Sequence, residues 1–421
     1  MEYSCMSERI LRQIESVIKQ DLELIDVTIV PTDDNSRNKS PVLLQEHHLG
    51  LESWCVKYVY QYACSELFKT RKILSEKKMG HSKMENLNYL LVGALLINPD
   101  VGTFWNMRRE LVECDILDYE GEFRFSKLVL TRKGKSYEAF CYRRWLLRRI
   151  MDKLLMNQMS PPVMLLDAEL SVALATAQNS QNNYHSWTHR LWCNENLGPY
   201  CPSVLEEELS FSEKWINEHV SEYSGYHYRQ YVLSLCAKRE TGTILRHYCD
   251  RVLQHLNLVC DVDFNQLLTY FLGEQSKNSK LEVTYRFMNY LFLLLYEVLV
   301  VIPCINKSFP EHESLWLHRR FVVSSLVRLA YSFHSSSVKV PRKDSVSSKC
   351  AKNFVQCFSA SDSGEKMPKM FKSQPCRVET SNLYKCLLET EKMFINESCN
   401  TADYGKRHQK WLKFVLGIEL T

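Results

Sequence analysis

Apolar residues recur every three to four positions over most of the chain, the spacing that gives a helix one buried face. The pattern predicts a helix around Ser7–Lys19, a short strand within Leu22–Val30, a polar loop near 31–41 and a long helix over Leu51–Lys78 with Trp54, Tyr58, Tyr62 and Leu67 on one side. Helical spacing returns at Leu165–Gln178 and Val204–Val220. From Ser335 to Cys376 the period is lost, and ten serines with several prolines mark a disordered insertion rather than a domain.

One helical stretch carries a recurring signature. NYHSWTHR, Asn183–Arg190, reduces to N-Y-x-x-W-x-x-R, and weaker copies lie on both sides. VGTFWNMRRE supplies Trp105 and Arg108, and SYEAFCYRRW supplies Tyr137, Phe140 at the Trp position and Arg143. The full match has Asn183, Tyr184, Trp187 and Arg190, and EYSGYHYRQY has Tyr223, Tyr226 at the Trp position and Arg229. HESLWLHRRF keeps Trp316 and Arg319, and DYGKRHQKWL around Tyr404 is a faint sixth copy. At the Trp position the first five copies stand 35, 47, 39 and 90 residues apart, helical-hairpin periods of which the last has room for a degraded extra unit.

At about 100° per residue, Asn, Trp and Arg at offsets 0, 4 and 7 share a narrow stripe. A Trp there fills the space between consecutive hairpins, burying about 200 Å², while the Arg fork bonds carboxylates or carbonyls of a neighbour. Packing is therefore the expected work of the Trp and Arg positions. The Tyr beginning each second helix is expected at an edge where partners dock.

Composition narrows the options. Thirteen Gly and twelve Pro in 421 residues are too few for a protein of many tight turns, which favours helices. Sixteen Cys include no C-x-x-C, so reduced thiols in a cytoplasmic protein are expected, and neither Cys nor His clusters at the spacings of a zinc site. Of the formal +4, a net +5 lies in Ser335–Cys376, and the arginines of YRRWLLRRI can be satisfied by helix-surface pairs, so nucleic acid is not an expected partner. MEYSCMSERI has no apolar core of a signal peptide. The apolar run Leu291–Ile302, short for a bilayer and carrying Glu297, is read as a buried helix, and no membrane span is expected.

The repeats resemble those of protein prenyltransferase α subunits, the shared or specialised halves of farnesyl and geranylgeranyl transferases, from about Asn98 to the sixth copy. The resemblance implies an all-α fold, a right-handed superhelix or crescent of antiparallel helical hairpins, with residues 1–80 as a helical lead-in and 81–421 as repeats. It also implies a division of labour. A separate β subunit holds the zinc, the isoprenoid pocket and most substrate contacts, and this chain binds no cofactor of its own. The α subunit lends a Lys placed just before the Asn-Tyr of the second repeat, and GKSYEAF puts Lys135 there, followed by Tyr137. The Asn-Tyr-His of the family's third repeat matches Asn183, Tyr184 and His185.

As a thiolate displaces an allylic diphosphate, negative charge builds on the leaving oxygens, and a fixed ammonium stabilises the transition state more than the ground state. The implied function is thus the α half of a protein geranylgeranyltransferase, inactive alone, with the isoprenoid diphosphate at the interface and a protein substrate ending in a reactive cysteine. The β subunit of the Rab enzyme is the favoured partner. This chain departs from the family at Ser136 for Asn, Phe140 for Trp, and Val101-Gly102 for Asn-Tyr. A helical scaffold that kept the fold and lost catalysis, binding a peptide or a prenylation component, is the competing expectation.

Overall fold

In the computed structural model, residues 2–420 are described except 33–37, 39, 76–78, 202, 240–244, 259–263, 274–284, 311, 335–380 and 398–401. The insertion expected at Ser335–Cys376 lies outside the described residues. The chain divides into two compact units, Met1–Val204 and Leu205–Thr421.

The first unit opens with the amphipathic helix Glu2–Gln20, which buries Ile10, Leu11 and Ile14. A three-stranded sheet follows: Asp26–Val30 pairs in parallel with His48–Glu52, which pairs antiparallel with Val42–Gln45. The strand expected within Leu22–Val30 is present, whereas the other two were not foreseen. They belong to one hairpin whose turn places Glu46 and His47 at φ 46° and 65°, left-handed values that a two-residue hairpin turn requires and that favour Gly or Asn. His47 is held there because its Nδ1 bonds Asp21 at 2.9 Å and its carbonyl accepts from Ile25 N at 2.9 Å. The long helix begins at Ser53 rather than Leu51, because Leu51 and Glu52 complete the last strand.

Helical hairpins follow. Hairpin I joins Asn88–Ile97 to Gly102–Glu113, hairpin II Tyr119–Arg132 to Tyr137–Met156, and hairpin III Val163–Asn179 to Tyr184–Asn196. Gly93 in hairpin I lets the N-terminal helix approach closely, since a Cβ there would stand 2.0 Å from Leu11 Cδ2. Side chains of the lead-in, the sheet and hairpins I and II share one apolar core.

The second unit holds hairpin IV, Val204–Glu218 with Tyr223–Cys236, whose first residue ends the preceding unit. Two helices without the Trp-Arg signature, Arg246–His255 and Phe264–Leu272, occupy the long gap before hairpin V, as the 90-residue spacing allowed. In hairpin V a continuous helical segment, Tyr285–Ser308, leads to Glu313–His334, and hairpin VI joins Asn382–Glu397 to Ala402–Trp411. Tyr285–Ser308 corrects the expected length of the apolar run: at 24 residues it could cross a membrane by length and composition, but 78% of its most apolar stretch is buried within the fold. Its centre is widened by a π turn at Glu297–Val301. Among the described residues these elements make an all-α repeat fold with one small sheet.

Candidate functional site

The Trp and Arg positions of the repeat are buried, and they form the same assembly several times over. Trp105, Phe140, Trp187, Tyr226 and Trp316 are all at most 3% exposed. Four of these rings meet the aromatic side chain that stands two residues after the Trp position in a following hairpin of the same unit. The pairs are Trp105 with Tyr142 at 4.7 Å, Phe140 with His189 at 5.0 Å, Tyr226 with His318 at 5.4 Å and Trp316 with His408 at 5.3 Å.

Beside each such contact an Arg reaches a glutamate in the first helix of a following hairpin. Arg108 binds Glu122, Arg143 binds Glu169, Arg229 binds Glu297 and Arg319 binds Glu391, all through buried side chains. The same glutamate accepts from its own hairpin: Tyr142 on Glu122, His189 on Glu169 at 2.8 Å, His318 on Glu297 at 2.8 Å and His408 on Glu391 at 2.6 Å. Repeat arginines also donate to a backbone carbonyl of their own hairpin's first helix, Arg143 to Phe123 at 2.7 Å, Arg190 to Leu170 at 2.9 Å and Arg229 to Leu209, while Arg108 donates to the Asn88 amide oxygen at 3.0 Å. Every carboxylate is therefore shared between two hairpins with its charge compensated, and Glu122, Glu169 and Glu297 have both oxygens bonded, which is the condition under which a buried ion pair is tolerated, whereas Glu391 is bonded through Oε2. Burial pushes Glu169 up, but Arg143 and His189 outweigh it and bring it down to about 2. Burial also holds His189 and His408 below the usual imidazole range, against the pull of their glutamates.

Among the described residues, one group has carboxylate, imidazole and thiol atoms close enough for a metal, Glu169, His189 and Cys193. Their chemistry does not fit one. Both Glu169 oxygens are taken by Arg143 and His189, and burial raises the Cys193 thiol well above its ordinary value. Leu111, Leu146, Val232 and Val322 hold the equivalent place in other hairpins, so Cys193 is one more apolar filling.

The residues expected at the diphosphate lie elsewhere, at the turns where second helices begin. Lys135 is exposed in the turn between the helices of hairpin II. Tyr137 and Tyr184 open their second helices and are 55% and 49% exposed. His185 lies between them, its ring 5.7 Å from Tyr137 and 5.8 Å from Tyr184. Burial, then the charge of Arg144, lowers the His185 pKa, while Asp100 pulls the other way. Four side chains from two hairpins are thus brought to one rim.

Asn183 is not among them. It was expected with the catalytic residues, but it is wholly buried, caps its helix by accepting from Ser186 N, and donates Nδ2 to Gly134 O at 2.7 Å and Thr176 O at 3.1 Å. A ligand cannot touch it. Its bond to Gly134 ties it to the turn that carries Lys135. Ser136 does the equivalent work one hairpin earlier, capping its helix through Ala139 N and reaching the Pro99 carbonyl at 3.5 Å.

The family model for the protein prenyltransferase alpha subunit repeat matches residues 119–150 and 205–236, which lie in hairpins II and IV. Protein prenyltransferase alpha subunit repeat-containing protein 1-A of Xenopus laevis is 29% identical over 352 residues, 78% of this chain and 74% of that protein. The Homo sapiens protein prenyltransferase alpha subunit repeat-containing protein 1 is 29% identical over 334 residues, 76% of this chain and 78% of its own length. The chain carries the protein prenyltransferase alpha subunit repeat. A more distant similarity joins it to the geranylgeranyl transferase type-2 subunit alpha of Saccharomyces cerevisiae, 23% identical over 275 residues, 60% of this chain and 82% of that protein.

Within a prenyltransferase alpha subunit repeat, the glutamates and the aromatic position two after Trp escaped the sequence reading. A fixed interval would have found them. Glu122, Glu169 and Glu208 each stand 20 residues before Tyr142, His189 and Tyr228. Arg144, expected in helix-surface pairs or repeat contacts, falls seven residues after Tyr137 on the same helix face and donates to Cys141 Sγ.

Proposed function

We propose that this chain is the α subunit of a heterodimeric protein prenyltransferase, inactive alone. It would support transfer of geranylgeranyl from its diphosphate to a C-terminal cysteine of a protein substrate in the cytoplasm. One observation carries the reading. Of the residues repeated along the chain, the Trp and Arg positions are buried in packing, whereas Lys135, Tyr137, Tyr184 and His185 are left at the surface of adjacent turns in hairpins II and III. Packing alone does not call for an ammonium, two phenols and an imidazole together at an exposed edge. The similarity to type-2 geranylgeranyl transferase alpha subunits supports the same lipid and favours the Rab enzyme's β subunit as partner.

In this reading Lys135 faces the departing diphosphate, where a fixed positive charge lowers the barrier as negative charge accumulates. Tyr137 and Tyr184 donate hydrogen bonds to the same oxygens. His185, whose pKa is depressed chiefly by burial and then by Arg144, stays neutral near pH 7 and donates one bond without adding charge. The zinc and the lipid pocket are assigned to the β subunit.

The chain should be purified with each candidate β subunit and assayed for lipid transfer. Activity is expected with one of them, and Lys135→Ala should lower kcat by about 10²–10³ while the complex still forms. A stable complex that transfers no lipid with any β subunit would make the chain a scaffold instead.

A further inference from the structure

The segment YRRWLLRRI sets four arginines on one helix, and the fold accounts for three. Arg143 is buried on Glu169, Arg149 pairs with Glu113, and Arg148 lies 5.3 Å over the Trp192 ring. Arg144 is half-buried, and its Nη2 donates to Cys141 Sγ at 3.2 Å, a thiol rather than a carboxylate. Tyr137, Cys141 and Arg144 stand at i, i+4 and i+7, on one face of the helix Tyr137–Met156. A helical side chain covers the turn N-terminal to its own Cα. The guanidinium is therefore carried up the helix toward the Lys135 turn, where its charge acts on both the Tyr137 phenol and the His185 imidazole. Of the acids nearby, Asp100 is already paired with Lys133 across the turns of hairpins I and II, and the Glu138 carboxylate faces the backbone of Gly102.

We propose that Arg144 is a second binding group for the diphosphate at this rim, closing on it from the helix side while Lys135 holds it from the turn. The division suits the two cations. Lys135 acts as a compact point charge on a turn pinned by Asn183, and Arg144 offers a planar fork that bonds two oxygens at once. The assignment rests on the reading above that a diphosphate docks here, and it adds a residue that reading does not need.

Titration of inorganic pyrophosphate into the full chain, alone and with its β subunit, tests binding without turnover. Arg144→Ala should weaken pyrophosphate at least about tenfold, the size of one lost charge-assisted bond, and Arg144→Lys should weaken it less. Arg124→Ala, on an exposed pair with Glu120, should leave it unchanged. In the transfer assay Arg144→Ala should raise KM for the lipid diphosphate by a similar factor, with an unaltered melting temperature. Pyrophosphate that fails to bind the wild type in either form, or binds Arg144→Ala as tightly, overturns the proposal. A complex that transfers no lipid yet holds pyrophosphate through Arg144 sinks the enzymatic reading and keeps this one, whereas transfer indifferent to Arg144 does the reverse.

Discussion

Hairpins II and III perform the same packing task with different residues. Hairpin III has the complete signature, with Asn183 as cap, Trp187 in the ring slot and His189 on the shared glutamate, whereas hairpin II has Ser136, Phe140 and Tyr142 in those places. The rings and caps vary while Arg143 and Arg190 stay. An apolar slot accepts any side chain of suitable bulk, because dispersion and burial are not directional. A buried carboxylate is less forgiving, since it demands a fork of fixed geometry opposite it. The signature read as Trp-and-Arg is therefore, in energetic terms, an Arg-and-Glu signature with an aromatic filling.

The most severe way to test that comparison is to remove the carboxylate that hairpins II and III share. Glu169→Ala leaves Arg143 buried and uncompensated and should cost about 3–5 kcal/mol in chemical denaturation. The exposed Glu120→Ala on the neighbouring helix should cost under about 0.5 kcal/mol. Equal losses would mean that the buried pair is not what couples the hairpins.

A smaller effect separates the two caps. Asn183→Ala removes a helix cap and two bonds to carbonyls, and should cost about 1–2 kcal/mol. Asn183→Ser, the residue hairpin II already uses, should recover part of it. Hydrogen exchange at the Lys135 turn should quicken in Asn183→Ala beyond what the global loss explains.

The gentlest probe is pH, because hairpin III uses a titratable His where hairpin II uses Tyr142. Burial depresses His189 in the fold, so the unfolded chain binds a proton that the folded chain refuses. Stability is then full above the unfolded value near 6.5 and declines as pH falls toward the folded value. The shared Glu169, held at about 2 in the fold against an ordinary 4.5, adds a second decline between those values. His189→Gln should flatten the upper part of the curve and leave the lower part. An unchanged slope between pH 7 and 5 would assign the upper decline to other groups.

The repeat was legible in the sequence because Trp is rare, eight in 421 residues, and an Arg recurs at a fixed helical offset from it. Their partners were not, because glutamate on a helix ordinarily signals a solvated face, and nothing local distinguishes Glu169 at 1% exposure from Glu120. The strands at Val42–Gln45 and His48–Glu52 were missed for a related reason: their pairing is with each other and with Asp26–Val30, so no single stretch announces it. At the rim, exposure sorted what spacing could not. Asn183 and Tyr184 are adjacent in the signature, yet one is sealed inside and the other faces out. The sixth copy gained a register from packing, since His408 on Glu391 occupies the place of His318 on Glu297 and sets Tyr404 inside its helix rather than at the start.

The π turn at Glu297–Val301 has a consequence for how such arrays change length. Glu297 stands 21 residues before His318, one more than the interval of 20 in hairpins II to IV, and the surplus residue is looped out within the helix. The carboxylate still meets Arg229 and His318, so an insertion in mid-helix has been absorbed without displacing either hand that grips it. Repeats of this kind can drift by single residues through swollen helical turns, and the charged clasp, not the count, keeps neighbours in step.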